Sequence, residues 1–244
     1  MDLESTLEFS GSLVNPDRIL IIENLSRYYL ATEAHVKFTN LLKQTEQILS
    51  DESLNDSSLK ASYHHYLAID FAQKKQYALA KDSFEQSLRL QVENCQNIPT
   101  PHPLLRDTLH NLSCVELSLG NTTAAEVRTR QAIALHRNQL PQAAIGLANS
   151  LITLGHVRSQ QGRFTEAEAI YHQVQIRFNC ILTNHPLLAH LKTGYGHLYA
   201  KLGQYERAKM YYLEAIAHLQ VTCGINSPLL STPAGGLAAL DNIL

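Results

Sequence analysis

The chain has 244 residues, 45% hydrophobic and 17% charged, a balance that suits an ordered protein with a large core and leaves little room for extended disorder. Its 20 Lys and Arg against 22 Asp and Glu leave a net charge of −2, so no global field draws in nucleic acid or an anionic membrane. Four scattered cysteines (Cys95, Cys114, Cys180, Cys223) read as reduced thiols, the acidic start Met1-Asp2-Leu3-Glu4 is unlike a secretory leader, and no run of about eighteen apolar residues could span a bilayer. The expected address is the cytoplasm.

Residues 1–15 are polar, broken at Gly11-Ser12, and read as a loose arm. Pro16 can open a helix, because its missing N–H would be unbonded there anyway. Ile19, Ile22, Leu25 and Tyr29 keep helical spacing, and Ala34, Phe38 and Leu41 begin a second helix. Ser50 to Ser58 is a loop by composition. A helix follows through Tyr63, Tyr66, Leu67 and Phe71, turns at Lys75-Gln76, and is partnered by one that runs to about Val92. Pro99, Pro101 and Pro103 exclude helix interior and predict a stiff connector where a stack would bend. Beyond it Leu105, Leu109, Leu112 and Leu119 predict the next helix, and Thr123 with Glu126, like Thr165 with Glu168, fits a capping box. Pro141 and His185-Pro186 open later units, and Ser227-Pro228 opens a half unit. Leu237, Leu240, Ile243 and Leu244 would give this half unit an apolar side with no partner helix, a surface that either caps the stack or meets a second copy in a homodimer.

A repeat underlies these elements. Ala80, Ala125, Ala167 and Ala208 stand 45, 42 and 41 residues apart, and four residues after them come Phe84, Thr129, Tyr171 and Tyr212. Ahead of them lie Lys75-Gln76-Tyr77, Gly120-Asn121-Thr122, Gly162-Arg163-Phe164 and Gly203-Gln204-Tyr205. Spacings of three and four share one helical face, so each unit carries a helix whose Ala admits a neighbour while the aromatic fills the gap. A period near forty residues marks a repeat array with one continuous core. Gly155 and Gly196 share a column 41 residues apart, and Gly194-Tyr195-Gly196 lacks the strand and third glycine of a dinucleotide loop, so it reads as close helix packing.

The pattern Gly-x-(Tyr/Phe)-x-x-Ala-x-x-x-(Tyr/Phe)-x-x-Ala, preceded by Leu-x-x-Leu, resembles the tetratricopeptide repeat. The unit of about 42 residues, with His-Pro between units and Leu109-His110-Asn111-Leu112, resembles the variety in kinesin light chains. Thr122 and Thr129 replace both aromatics in one unit, Lys75 replaces a turn glycine, and a motor-adaptor role is not implied. The resemblance implies an all-α, right-handed superhelical solenoid of antiparallel helix pairs over residues 16–244, with repeats near 16–50, 58–97, 103–139, 141–183 and 185–224 and a half repeat at 227–244. It also implies that first helices line a concave groove for a peptide or partner helix. Transferred column by column, the groove residues are His65, Tyr66 and Ile69; His110, Asn111, Cys114 and Ser118; Asn149, Thr153, His156 and Gln160; and His190, Thr193, His197 and Lys201. Polar groups in such rows can hold a peptide main chain, each residue of which offers a donor and an acceptor.

Chemistry other than binding has little support in the residues. Histidines in one column of successive repeats stand about 10 Å apart and cannot share an ion with bonds near 2 Å, so no metal or other cofactor is expected. His110 and Cys114 lie one helical turn apart, but no orienting group or oxyanion site accompanies them. The expected function is a non-enzymatic interaction scaffold or adaptor with a protein or peptide partner. The alternative is a regulatory sensor whose superhelix closes on a signalling peptide or small molecule.

Overall fold

A computed structural model describes residues 15–50, 56–95, 104–137 and 143–241. The N-terminal arm, the loop at 51–55, the prolines at 99–103, Pro141, Ile243 and Leu244 therefore lie outside the described residues. Among those described, every regular element is helical. The protein is all-α, built from antiparallel helix pairs of the repeat-solenoid kind. It forms two compact units, Met1–Leu119 and Gly120–Leu244.

The first unit holds α1 (Asn15–Ala31), α2 (His35–Leu49), α3 (Ser57–Gln73), α4 (Tyr77–Cys95) and α5 (Leu105–Ser118). Ile22, Leu25 and Tyr29 of α1 meet Phe38, Leu41 and Leu42 of α2, and Leu59, Tyr63 and Tyr66 of α3 close the cluster. Asp56 caps α3 by accepting from the Ser58 and Leu59 N–H groups at 3.0 and 3.1 Å. Between α3 and α4 the column residues do what the spacing predicts: Ala80 is fully buried, and Phe84 packs with Ala68 and Leu112.

The second unit holds α6 (Thr122–Arg137), α7 (Ala144–Gln160), α8 (Phe164–Leu182), α9 (Leu187–Lys201), α10 (Tyr205–Cys223), a 3-10 turn at Pro228–Leu230 and α11 (Ser231–Asp241). The buried residues of α10 are Ala208, Tyr212, Ala215 and Leu219, one stripe at spacings of four, three and four. Each column tyrosine is held between glycines of two neighbouring helices. A Cβ on Gly155 of α7 would lie 2.2 Å from the Tyr171 ring, and one on Gly194 of α9 would lie 3.0 Å from its far edge. Tyr212 stands likewise between Gly196 of α9 and Gly236 of α11, where a Cβ would come within 2.5 Å from either side. The glycines thus allow an aromatic ring to reach the helix backbone on both faces.

The turns within helix pairs share one conformation. Gly120, Gly162 and Gly203 have φ of +79°, +74° and +70°, and Lys75 and Glu33 occupy the corresponding place in earlier turns at +59° and +57°. At four of these turns the next residue reaches back five positions: Ala34 to Tyr29, Gln76 to Phe71, Arg163 to Arg158 and Gln204 to Tyr199, each at 2.9 Å. This is the Schellman closure, which satisfies carbonyls left open at a helix end.

Two expectations need correction. The capping boxes do not form. α6 begins at Thr122 and α8 at Phe164, so Thr123 and Thr165 sit inside their helices, and Arg163, the cap of α8, makes no side-chain cap bond. The carboxylates go elsewhere: Glu126 to Arg158, and Glu168 to the Tyr199 hydroxyl. A guanidinium in a buried setting outcompetes an exposed backbone N–H for a carboxylate. The tail is also not uncovered. Leu240 is 2% exposed, and with Leu237 it joins the core formed by Tyr212 and Ala208, so the inward side of α11 closes the second unit, while Ile243 and Leu244 lie outside the described residues.

Candidate functional site

The first helix of each pair carries the columns expected to face a groove, and burial separates them into two kinds. His65, Tyr66 and Thr153 are 2%, 2% and 1% exposed, so they are core residues and not groove contacts. The His65 ring stands edge-on to Tyr66 and Phe84, and its Nδ1 is 2.8 Å from the Thr108 hydroxyl. That hydroxyl accepts from Gln91 Nε2, which also donates to Ser87 Oγ, and Ser87 in turn donates to the Ala61 carbonyl at 2.7 Å. This buried chain ties α3, α4 and α5 together. Tyr66 packs edge-on against Phe38, and burial pushes its hydroxyl up to about 12. The Thr153 hydroxyl donates back to the Asn149 carbonyl. Thr193 is buried in the same way, donating to the Ala189 carbonyl.

In the first unit the remaining columns converge. Ile69 and Gln73 of α3, Asn111, Cys114 and Ser118 of α5 and Leu30 of α1 line an open pocket of ≈ 460 Å³. Its floor is apolar, with Phe84 and Val115, and Asn111 supplies an amide at the wall. Pockets of this size with few polar groups are what side chains or small ligands enter. His110 stands one turn from Cys114, with Nε2 to Sγ at 3.8 Å. Burial alone would lower His110, yet the Cys114 sulfur and the Asp107 carboxylate hold it above its ordinary value.

In the second unit α7 lies against α9. Their exposed and half-buried column residues are Asn149, His156 and Gln160 on one and His190, His197 and Lys201 on the other. The His156 and His190 rings meet edge to face at 5.0 Å. His156 also stands edge-on to Tyr171, and His197 to Tyr212, at 5.7 and 5.4 Å, so the same His–Tyr pair recurs from one repeat to the next. Burial, with Lys201 nearby, lowers His197 from its ordinary value. Among the described residues the Tyr171 hydroxyl, which is buried, has no hydrogen-bond partner.

The strongest electrostatic feature lies away from these columns, and spacing alone did not single it out. Arg158 of α7 is 3% exposed and forks onto both carboxylate oxygens of Glu126. Gln161 and Glu166 complete the cluster, with Gln161 bonded to both partners and the Glu166 carboxylate 3.3 Å from Arg158 Nε. The Arg158 guanidinium holds Glu126 well below the ordinary carboxylate range. The only hint in the sequence was one Arg amid the apolar run of α7. A second cluster joins α8, α9 and α10: the Tyr199 hydroxyl donates to Glu168 and accepts from Arg207, whose guanidinium lies 3.9 Å above the Tyr199 ring centre. Both clusters tie neighbouring helices of the second unit together.

Among the described residues no group of three or more His, Cys, Asp and Glu could hold a metal ion, and no helix is long and apolar enough to cross a membrane.

A tetratricopeptide repeat family model matches residues 146–220, which span α7 to α10. No curated protein matches. Among solved structures, the nearly identical TPR-like repeats of a Podosopora anserina protein assigned as a kinesin light chain share 20% identity and a TM-score of 0.62, over 86% of this chain and 98% of that one. BtubC (BKLC) from P. vanneervenii shares 16% identity and a TM-score of 0.66, over 92% and 91%. NprR in complex with its cognate peptide NprX gives a TM-score of 0.76 at 15% identity, over 98% of this chain and 65% of NprR. Over residues 146–220 the chain thus matches the tetratricopeptide repeat, and in fold it is similar to TPR-like repeat arrays such as those of the kinesin-light-chain kind.

Proposed function

We propose that this protein is a non-catalytic interaction scaffold that holds a peptide segment or partner helix against the first helices of its repeats. The observation that carries the reading is the pocket of the first unit, where α1, α3 and α5 bring Leu30, Ile69, Asn111, Cys114 and Ser118 to one concavity. These three helices stand far apart in the chain, and an apolar floor with an amide at its wall suits a side chain flanked by peptide main chain. In the second unit Asn149, His156, His190, His197 and Lys201 offer polar groups along neighbouring first helices, in keeping with an extended ligand. His65, Tyr66 and Thr153 are left out, being buried.

Affinity capture from native lysate tests this. The intact protein is compared with an Asn111→Ala/His197→Ala double variant that melts alike. A protein retained by the first and lost by the second supports the groove; identical captures refute it.

A second reading, a regulatory sensor closing on a signalling peptide, is favoured by two neighbours of like fold: NprR with its peptide, and a Rap protein complexed with competence and sporulation factor at a TM-score of 0.65 and 16% identity. A ligand-dependent fall in scattering radius would distinguish the sensor from the scaffold; an unchanged radius on saturation refutes it.

A further inference from the structure

Of the cysteines whose side chains are described, Cys114 lines the open pocket of the first unit, while Cys180 and Cys223 stand exposed on helices of the second. The Cys114 sulfur lies 3.8 Å from His110 Nε2, one turn earlier on α5, and Asp107 stands one turn before that. Spacings of four and three put the three residues along one face of the helix. Burial works against a charged imidazole at this place, but the sulfur and the Asp107 carboxylate hold His110 above its ordinary value. Such a neighbour favours the thiolate, which is the nucleophilic form of cysteine. Around the sulfur the pocket offers ≈ 460 Å³, with Leu30, Ile69, Phe84 and Val115 as apolar lining and Asn111 as an amide. A nucleophile, a group to take its proton and a space for a small molecule therefore meet at one point.

We propose that Cys114 is a covalent modification site, which takes a small aliphatic thiol bearing an amide from its disulfide and holds it in the pocket as a mixed disulfide. The Cys114 sulfur, its proton passed to His110 Nε2, attacks one sulfur of the small disulfide. A new S–S bond forms at Cys114, the original S–S bond breaks, and the departing thiolate takes the proton from the imidazolium. Cys114 is oxidised, the departing sulfur is reduced, and no further oxidant enters; an excess of the free thiol reverses the step. No tetrahedral oxyanion forms, so the exchange needs none of the donors that an acyl transfer requires. The alkyl part of the thiol meets Ile69, Phe84 and Val115, and its amide pairs with the donor and acceptor of the Asn111 side chain. Once attached, it fills the space that the scaffold reading gives to a partner's side chain. That consequence rests on the scaffold reading; the modification itself does not.

The test incubates the whole protein near neutral pH with N-acetylcysteamine disulfide and follows each cysteine by peptide mass mapping. Cys114, although less exposed, is expected to react about threefold faster than Cys180 or Cys223; the factor is small because a readily ionised thiol is also a weaker nucleophile. Hydroxyethyl disulfide, neutral but without the amide, should modify Cys114 about threefold more slowly when rates are taken relative to those two cysteines, the effect of one modest hydrogen bond. His110→Gln, confirmed to melt like the parent, should bring Cys114 down to the rate of Cys180 and Cys223 and leave theirs unchanged. If Cys114 in the parent reacts no faster than those two, the inference is overturned without recourse to a variant. An unchanged Cys114 rate in His110→Gln, or equal relative rates with the two disulfides, overturns it as well. Mass mapping needs no partner, so this result and that of the capture experiment stand or fall separately.

Discussion

Replacing Gly196 by Ala tests whether the glycine–tyrosine contact, and not helix propensity, governs packing between repeats. The new Cβ would lie 2.5, 2.6 and 2.9 Å from three carbons of the Tyr212 ring. Carbon contacts are comfortable at about 3.5–4.0 Å, so the ring would have to retreat by about 1 Å. Its other face is closed by Gly236, where a Cβ would itself lie 2.5 Å from the ring, and Tyr212 is only 2% exposed, so retreat means moving α11. Overpacking of this kind costs about 1–3 kcal/mol, and Ala gains about 1 kcal/mol over Gly inside a helix; with the ring closed in from two helices the cost falls at the upper end, leaving a net loss of about 2 kcal/mol. For a chain of this size that lowers Tm by about 4–8 °C. Thermal and urea melts followed by circular dichroism measure it. Gly235→Ala is the control: it lies in the same α11 with nothing within 4 Å of its Cβ, so it should gain from propensity alone, whereas Gly236→Ala should lose. In a Tyr212→Leu background the Gly196→Ala penalty should vanish, because the two residues couple. A Gly196→Ala variant that melts at or above the parent, or the same penalty in both backgrounds, refutes the reasoning.

Arg158→Met should cost about 2–3 kcal/mol, because it removes a forked charge-assisted pair and leaves Glu126 only Arg130 and Gln161; a loss under about 1 kcal/mol in urea melts would show that the cluster does not bind α6 to α7. Tyr171→Phe removes a buried hydroxyl that has no partner among the described residues and should raise stability by about 1 kcal/mol, whereas Tyr199→Phe breaks bonds to Glu168 and Arg207 and should lower it by a similar amount; the opposite order in thermal melts contradicts the assignment. Lys75→Gly relieves a side chain held at φ +59° and should stabilise by about 1 kcal/mol despite Gly being the more flexible residue, an outcome that equilibrium urea unfolding can deny. Burial lowers both His64 and His197, so the unfolded chain takes up protons near pH 6.5 before the folded one does. Their contribution is fully present above that pH and falls away as pH drops through it, while the raised His110 works in the opposite sense. A His64→Gln/His197→Gln variant should therefore lose less Tm than the parent between about pH 7 and 5; an equal loss refutes the attribution.

The second helices were legible from sequence because each buries one narrow stripe. In α10 the buried set is Ala208, Tyr212, Ala215 and Leu219 of 19 residues, and its 4-3-4 spacing recurs as Ala167, Tyr171, Val174 and Phe178 in α8. Periodicity reports a narrow stripe well, since residues three and four apart share one face. The turn glycines were equally legible, because a left-handed φ leaves few alternatives to Gly. The first helices were not. Eleven of the 17 residues of α7 are buried, as it is covered by α6, α8 and α9 at once. With so wide a buried arc, spacing no longer separates core from groove, and polar residues at the edge of the arc fall on either side of it. His65, Tyr66 and Thr153 fell inside and Asn111, His156 and Lys201 outside, a division made by neighbours distant in sequence. The tertiary structure likewise decided where the carboxylates went. A local pattern proposes a capping box, but Arg158 and the Tyr199 hydroxyl, brought up from helices more than thirty residues away, hold Glu126 and Glu168 instead. The repeat, its period and its helix pairs were thus local information, carried by spacing within each unit. Which polar groups face a partner depended on how far neighbouring helices close over each face, and that is settled only when the repeats pack.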